Sequence, residues 1–357
     1  MAVEPSSLAL LVCDRTGNRS GTAWQQALTP FARLEFVIAD AAKGIAAGVQ
    51  AVAAARADQP DAVPLAQGLD VFHTAQEAQR VLAGPWRRAA AAWEEAEAAD
   101  ARVAACQRQG QDARGVAQQA RRAWEQAEQA LAAVDQQQAT WQRARAALEI
   151  FQPDGTLQDR GTAAAALAAA LPALAGPEWK KVRNFLSDPR SLAFLERLHT
   201  RLAEAEPDAE QRRAWVRRWW LRHRRPAAAT GPAATAGEWV RDLLDEVIRE
   251  RPLSAGEQAA YDRIAAVLRT TVRASSAVEG INSVLRMQQC RHRRMTQGLL
   301  DLKRLYWNCR RLPTGRRRGR CPYEMLGVRL PSTDFWTLLQ LSPQQLTQEL
   351  SSARLRE

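Results

Sequence analysis

The sequence predicts an α/β plus mostly α protein: a short α/β segment, a large all-helical insertion, and a basic helical C-terminus. Three observations carry this. Strand-like apolar runs alternate with helical patterns only before about residue 74. Alanine, glutamine, glutamate and arginine then dominate from about Ala75 to Arg251. Between Arg269 and Arg329, 15 Lys and Arg stand against 3 Asp and Glu, an excess close to the formal +11 of all 357 residues.

The first apolar run, Ser7 to Cys13, is closed by the turn signal Asp14-Arg15-Thr16-Gly17-Asn18. Trp24 to Leu28 reads as a helix ended by Pro30, and Leu34 to Ala39 as a second strand stopping at Asp40. Lys43-Gly44-Ile45 opens the next helix. The helical region starts with a hairpin from about Ala75 to Phe151, marked by Trp86 and Trp93 one heptad apart, and continues in shorter helices. Its breaks fall at Pro153-Asp154-Gly155, Pro172, Gly176-Pro177, Pro207 and a linker from Pro226 to Gly237. Further on, Val278, Ile281 and Leu285 form an apolar stripe, while Glu279, Asn282 and Arg286 share another face. Leu299, Leu302, Leu305 and Cys309 mark the next helix, Gly315 to Gly319 a basic loop, and Pro322 a short helix. The expected divisions are 1–74, 75–255, 256–330 and a tail, 331–357.

A sequence pI near 10.2 implies a polyanionic partner, because clustered Lys and Arg gain affinity by releasing counterions from phosphate chains. No apolar run reaches bilayer length, and Met1 to Cys13 lacks the basic start of a secretion signal, so no membrane is expected. The five cysteines are dispersed and never spaced C-x-x-C, which argues for a reducing compartment and against a disulfide framework or structural zinc. Without a Walker-A loop, a G-x-G-x-x-G or a G-x-S-x-G, nothing points to a small-molecule substrate.

Two carboxylates draw attention. Asp40 ends a strand, where open α/β sheets place ligand chemistry, so it is placed to hold a divalent metal; equally, it is placed to cap the next helix. Glu279 sits in a dense arginine field, yet Ser276-x-x-Glu279 also spells a capping box. Asp70-Val71-Phe72-His73 has D-x-x-H spacing, which is common by chance and, with only four histidines in the chain, a weak metal signal. Arg212 to Arg225 interleaves arginine with Trp215, Trp219 and Trp220, either a nucleic-acid track or a helix with tryptophan packed inward.

Taken together, these residues resemble a bacterial insertion-sequence transposase of the DDE type. The matching pieces are Val3 to Leu8, Asp14 to Gly17 leading to Trp24, Leu34 to Ile45, Leu69 to His73, Glu178 to Asn184, Glu279 to Ser283, and Tyr306-Trp307-Asn308 through Gly315-Arg316-Arg317 to Pro322–Gly327. The likeness covers nearly the whole chain and is specific through order and context. It implies an RNase H-like α/β core interrupted by the helical insertion, with Asp40 and Glu279 as the second and third acids of a catalytic triad holding Mg²⁺ or Mn²⁺. It further implies that Asp70 and His73 support the site, with Asn282 beside it. DNA, as transposon ends and target, would be held by Arg286, Arg291, Arg293, Arg294, Arg316, Arg317 and Arg318.

In one respect this sequence departs from the family. The first acid belongs on the core's first strand, whereas Asp14 is the only aspartate before Asp40 and lies in a turn. The expectation is therefore an incomplete core, an N-terminally truncated and catalytically impaired copy, acting in the bacterial cytoplasm at the nucleoid. The alternative is a non-catalytic DNA-binding remnant, a homo-oligomer through its helical insertion. A helical scaffold whose basic tail binds RNA or acidic proteins is a third reading.

Overall fold

The computed structural model describes residues 1–223, 236–291, 295–332, 334–342, 344 and 345, with backbone alone at 236–242, 276, 288–291 and 316. In chain order the elements are β1 (Ala2–Glu4), β2 (Ala9–Val12), α1 (Gly21–Leu28), β3 (Phe36–Ala39), α2 (Lys43–Ala57) and β4 (Ala66–Leu69). Then come α3 (Val71–Arg108), α4 (Arg114–Ala147), α5 (Arg160–Ala170), α6 (Lys180–Leu186), α7 (Ala193–Ala205), α8 (Ala209–His223), α9 (Ala236–Glu250) and α10 (Ala255–Thr270). The chain closes with α11 (Ser276–Arg291), α12 (Gln297–Cys309), α13 (Pro322–Met325) and α14 (Phe335–Leu339). The chain is mostly helical with a small β component, and no described helix is long and apolar enough to cross a membrane.

Two compact units result. The first joins Met1–Gln67 to Ala274–Glu357, and the second is Gly68–Arg273. The helical insertion thus begins and ends outside the expected 75–255. The difference at its C-terminal edge is α10, which sequence patterning assigns to the third region. Its Tyr261, Ile264, Val267 and Leu268 are buried in one cluster with Leu198 and Leu202 of α7 and Trp215 and Val216 of α8. An amphipathic helix goes where its apolar face finds cover, which its own sequence does not reveal.

In the first unit, β1 and β2 form an antiparallel pair, Val3 opposite Leu10 and Glu4 opposite Ala9, and β3 pairs with β4 in a second two-stranded sheet. Sequence patterning marks β2 and β3 but neither β1 nor β4. The β1–β2 pair packs on α11 and α12 through Leu10, Cys13, Ile281 and Leu300. Asn308 of α12 is buried and grips β2 from the side: its Oδ1 accepts the Leu10 amide at 2.8 Å and its Nδ2 donates to the Leu10 carbonyl at 3.0 Å. Trp307 Nε1 donates to Leu8 O at 2.9 Å. Two side chains of the Tyr306-Trp307-Asn308 run therefore satisfy backbone groups that the short sheet leaves open.

The other half of this unit packs β3 against α1 and α2 through Leu28, Ala39, Ile45, Val49, Val52 and Leu65. The helices meet at glycines. A Cβ at Gly44 would overlap the Arg19 carbonyl oxygen, and one at Gly48 would overlap the Trp24 Cβ. Ser20 caps α1, its hydroxyl accepting the Ala23 amide, and Pro30 follows two residues after its end.

The second unit is built on the α3–α4 hairpin, about 50 Å long from the 1.5 Å rise per residue. Its seam is alanine at heptad spacing: Ala89 and Ala96 on α3, Ala120 and Ala127 on α4, with Val134 and Trp141 continuing the α4 series. Small seam residues let the backbones approach closely, and Trp86, Trp93 and Trp124 lie at the flanks. Trp93 meets Trp124 edge-on at 4.9 Å, and Trp86 Nε1 donates to Gln138 at 3.0 Å. Within the Arg212–Arg225 run, Trp215 is buried, Trp219 stacks on Phe151 at 5.6 Å, and Arg218 is buried while donating to the Ile248 and Arg251 carbonyls; Arg213 and Arg222 are exposed, and Arg224 and Arg225 lie outside the described residues.

Candidate functional site

Asp40 leaves the end of β3 exposed to solvent. It is not the cap of α2, since Ala42 holds that position without a side-chain bond. One carboxylate oxygen accepts the Ala42 amide at 3.2 Å, and the other has no partner among the described residues. Glu279 lies in the first turn of α11. That helix starts at Ser276, so Ser276 is its first residue rather than its cap, and the Ser276 side chain is outside the described atoms. Asn282 and Arg286 follow one and two turns on along the same side of α11, with Arg286 exposed.

Asn282 opens into a cleft of about 690 Å³ in the first unit. Its walls are the Val12–Arg19 segment, Ala23, Trp24 and Ala27 of α1, Leu285 of α11, and Met295 and Leu300. The wall bearing Asp14, Arg15 and Arg19 is polar and fixed: the Arg15 amide donates to Gln297 Oε1 at 2.8 Å, and Gln297 Nε2 returns to Cys13 O at 3.3 Å. Burial pushes the Cys13 thiol up, so it stays neutral there. In the sequence Asp14 reads only as a turn residue, and neither arginine is marked for this wall. The position of a turn directly after a strand is the available signal.

Neither Asp40 nor Glu279 lines that cleft. Among the described residues no group of three or more His, Cys, Asp or Glu is placed to hold a metal ion. The donor chemistry still suits a hard cation, since Mg²⁺ commonly takes one or two carboxylates and completes its shell with water and substrate phosphate.

Asp70 and His73 do meet. Asp70 is buried and caps α3, accepting the Phe72 amide at 2.8 Å, while its other oxygen holds His73 Nδ1 at 2.5 Å. That arrangement orients the imidazole from a half-exposed position on α3, in the helical unit.

The expected DNA contacts separate into three groups. Arg286 and Arg318 are exposed, with no side-chain partner among the described residues. Arg317 is already used: Nε donates to Ser6 O at 2.6 Å and Nη2 to Pro5 O at 2.7 Å, which clamps the β1–β2 turn. The side chains of Arg291 and Arg316, and all of Arg293 and Arg294, lie outside the described residues. The basic loop is closed at its base by Leu312 N to Arg320 O at 3.0 Å and Gly319 N to Leu312 O at 2.8 Å. Gly315 and Gly319, at φ +75° and +77°, allow the tight turn of this loop.

No family model, no curated protein and no solved structure matches this chain.

Proposed function

We propose that this chain is a DDE-type transposase polypeptide that binds DNA through the basic surface of its first unit and cuts it weakly. The observation that carries the reading is the closure of one compact unit by segments far apart in sequence. Met1–Gln67, with Asp40, and Ala274–Glu357, with Glu279, belong together on either side of a helical insertion. That is the organisation implied by an RNase H-like core interrupted before its last acid.

In this reading Asp40 and Glu279 hold Mg²⁺ or Mn²⁺. A bound divalent ion would supply Lewis-acid activation of the scissile phosphodiester and of the attacking hydroxyl or water. The chain's own residues position the strand: Arg286, Arg318 and Arg320 neutralise phosphates, and the Asn282 amide donates to and accepts from nucleotide groups reaching the cleft. Among the described residues no group of three carboxylates is placed to hold a metal ion, so in this reading such an ion is held loosely. DNA binding is therefore retained and turnover is poor. The test is twofold: anisotropy of a labelled duplex across a salt series, and nicking of supercoiled plasmid in Mn²⁺. Failure to bind duplex at low salt sinks the reading. Strong metal-dependent cutting, abolished by Asp40→Ala, overturns the impairment.

One observation favours the non-catalytic, oligomerising alternative. α9 buries Asp245 against Arg217 and leaves Leu243, Leu244, Val247 and Ile248 outward, the last three 57%, 59% and 40% exposed. An apolar stripe of that kind marks a contact surface. Sedimentation of the full chain with and without Leu244→Glu and Val247→Glu separates the readings, since only an assembly built on this stripe dissociates.

A further inference from the structure

The first unit carries an aromatic surface that the acidic site does not use. On α12, Leu302, Tyr306 and Arg310 are exposed one turn apart along one side. Against them lies α14, where Phe335 meets Tyr306 edge-on at 5.3 Å and Trp336 meets Phe335 at 5.3 Å. Trp336 is 70% exposed, more than any other large apolar side chain among the described residues. Tyr306 is 49% exposed. Among the described residues no buried partner covers Tyr306 or Trp336, and the cap of α14, Asp334 accepting the Thr337 amide at 2.8 Å, fixes the turn that presents them.

We propose that Tyr306, Phe335 and Trp336 form a stacking platform for unpaired nucleobases, with Arg310 and the adjoining basic loop holding the phosphates of the same strand. The proposal rests on the DNA-binding reading above and names the form of DNA that this surface takes. The choice of occupant follows from charge. Arg310 stands one turn from Tyr306, and the loop that α12 enters presents Arg318 and Arg320 exposed. An apolar protein face meeting this surface would strand those cations without counter-charge. A single strand offers flat apolar bases beside a continuous anionic backbone, which is the combination that such grooves bind. Every base has a π-face, so the platform is expected to be tolerant of sequence.

The experiment uses the full chain with two fluorescent probes, a thymidine homopolymer and a blunt duplex, at one ionic strength. Trp336→Ala should weaken the single strand by about tenfold or more, because one base stack is removed, and leave duplex affinity within about twofold. Trp336→Phe should keep most of the single-strand affinity, since it retains a ring, and Arg310→Ala should weaken both probes. If Trp336→Ala leaves single-strand binding unchanged while the wild type binds both probes, the platform is wrong and the DNA-binding reading survives. Wild-type binding to duplex alone has the same meaning. Binding to neither probe removes both. An equal loss on both probes with Trp336→Ala also counts against stacking, because it reports a general effect.

Discussion

In the helical unit, Arg217 pairs with Asp245, Arg218 donates to the Ile248 and Arg251 carbonyls, and Arg273 reaches Glu149 and the Leu148 carbonyl. In the first unit, Arg286, Arg310, Arg318 and Arg320 are exposed, with no side-chain partner among the described residues. The same residue type is structural in the first set and without a side-chain partner in the second, although each unit holds arginines of both kinds, Arg56 being buried in the first unit and Arg121 and Arg122 exposed in the second. An arginine fork that is desolvated must have its donors satisfied internally, whereas one left in water keeps its charge available for an external anion. The exposed arginines of the first unit keep their charge available, which the proposed DNA binding requires.

The strongest way to break that contrast is to neutralise the idle set. Changing Arg286, Arg310, Arg318 and Arg320 together to alanine should flatten the dependence of log affinity on log salt, by about one for each phosphate left without its arginine. Tm should stay almost unchanged. If the salt slope does not move, these arginines are not the binding surface. The converse change, Asp245→Ala, leaves Arg217 facing a vacated pocket and should cost about 3 kcal/mol in urea denaturation, with duplex affinity intact. A matching test in the first unit is Asn308→Ala. It strips the Leu10 amide and carbonyl of their partners and should cost about 2 kcal/mol, whereas Asn308→Gln restores none of the geometry. Ala127→Leu overfills the α3–α4 seam and should cost about 1–3 kcal/mol, read as a lower helical melting midpoint.

The smallest effect concerns pH. Glu257 is pulled down to about 2, first by the Arg251 guanidinium and then by the amide and hydroxyl of Ser254, which form the capping box of α10. A depressed carboxyl contributes stability that is present above its ordinary value of 4.5 and is lost as pH falls from there towards 2. Glu257→Gln should flatten the acid limb of stability in that window, by lowering stability slightly at neutral pH and leaving it nearly unaffected near pH 2.

Part of this architecture was legible in the residues. The long hairpin could be read because alanine, glutamine, glutamate and arginine dominate for many turns with Trp86 and Trp93 one heptad apart, and β3 because Phe36, Val37 and Ile38 are strong strand formers ending at an aspartate. The D-x-x-H spacing was legible as a pattern but not as what it is, a helix cap whose second oxygen orients a histidine. β1 and β4 were not legible. Ala2-Val3-Glu4 and Ala66-Gln67-Gly68-Leu69 are too short and too weak in propensity to announce a strand, and they are strands because a neighbour supplies the hydrogen bonds. For the candidate site, Asp40 and Glu279 stood out by context, but the cleft wall of Asp14, Arg15 and Arg19 arises from a loop path that local sequence does not encode.

By itself, the amino-acid order determined the helical bulk, the strand that carries Asp40, and the concentration of cations near the C-terminus, because each depends on neighbours within a few turns. Only the tertiary structure decided which arginines are consumed and which stay available, that α10 belongs with the insertion, and that Arg317 clamps a hairpin turn. Those outcomes depend on which buried donors and acceptors meet across long sequence separations, and a partner hundreds of residues away leaves no local periodicity to read.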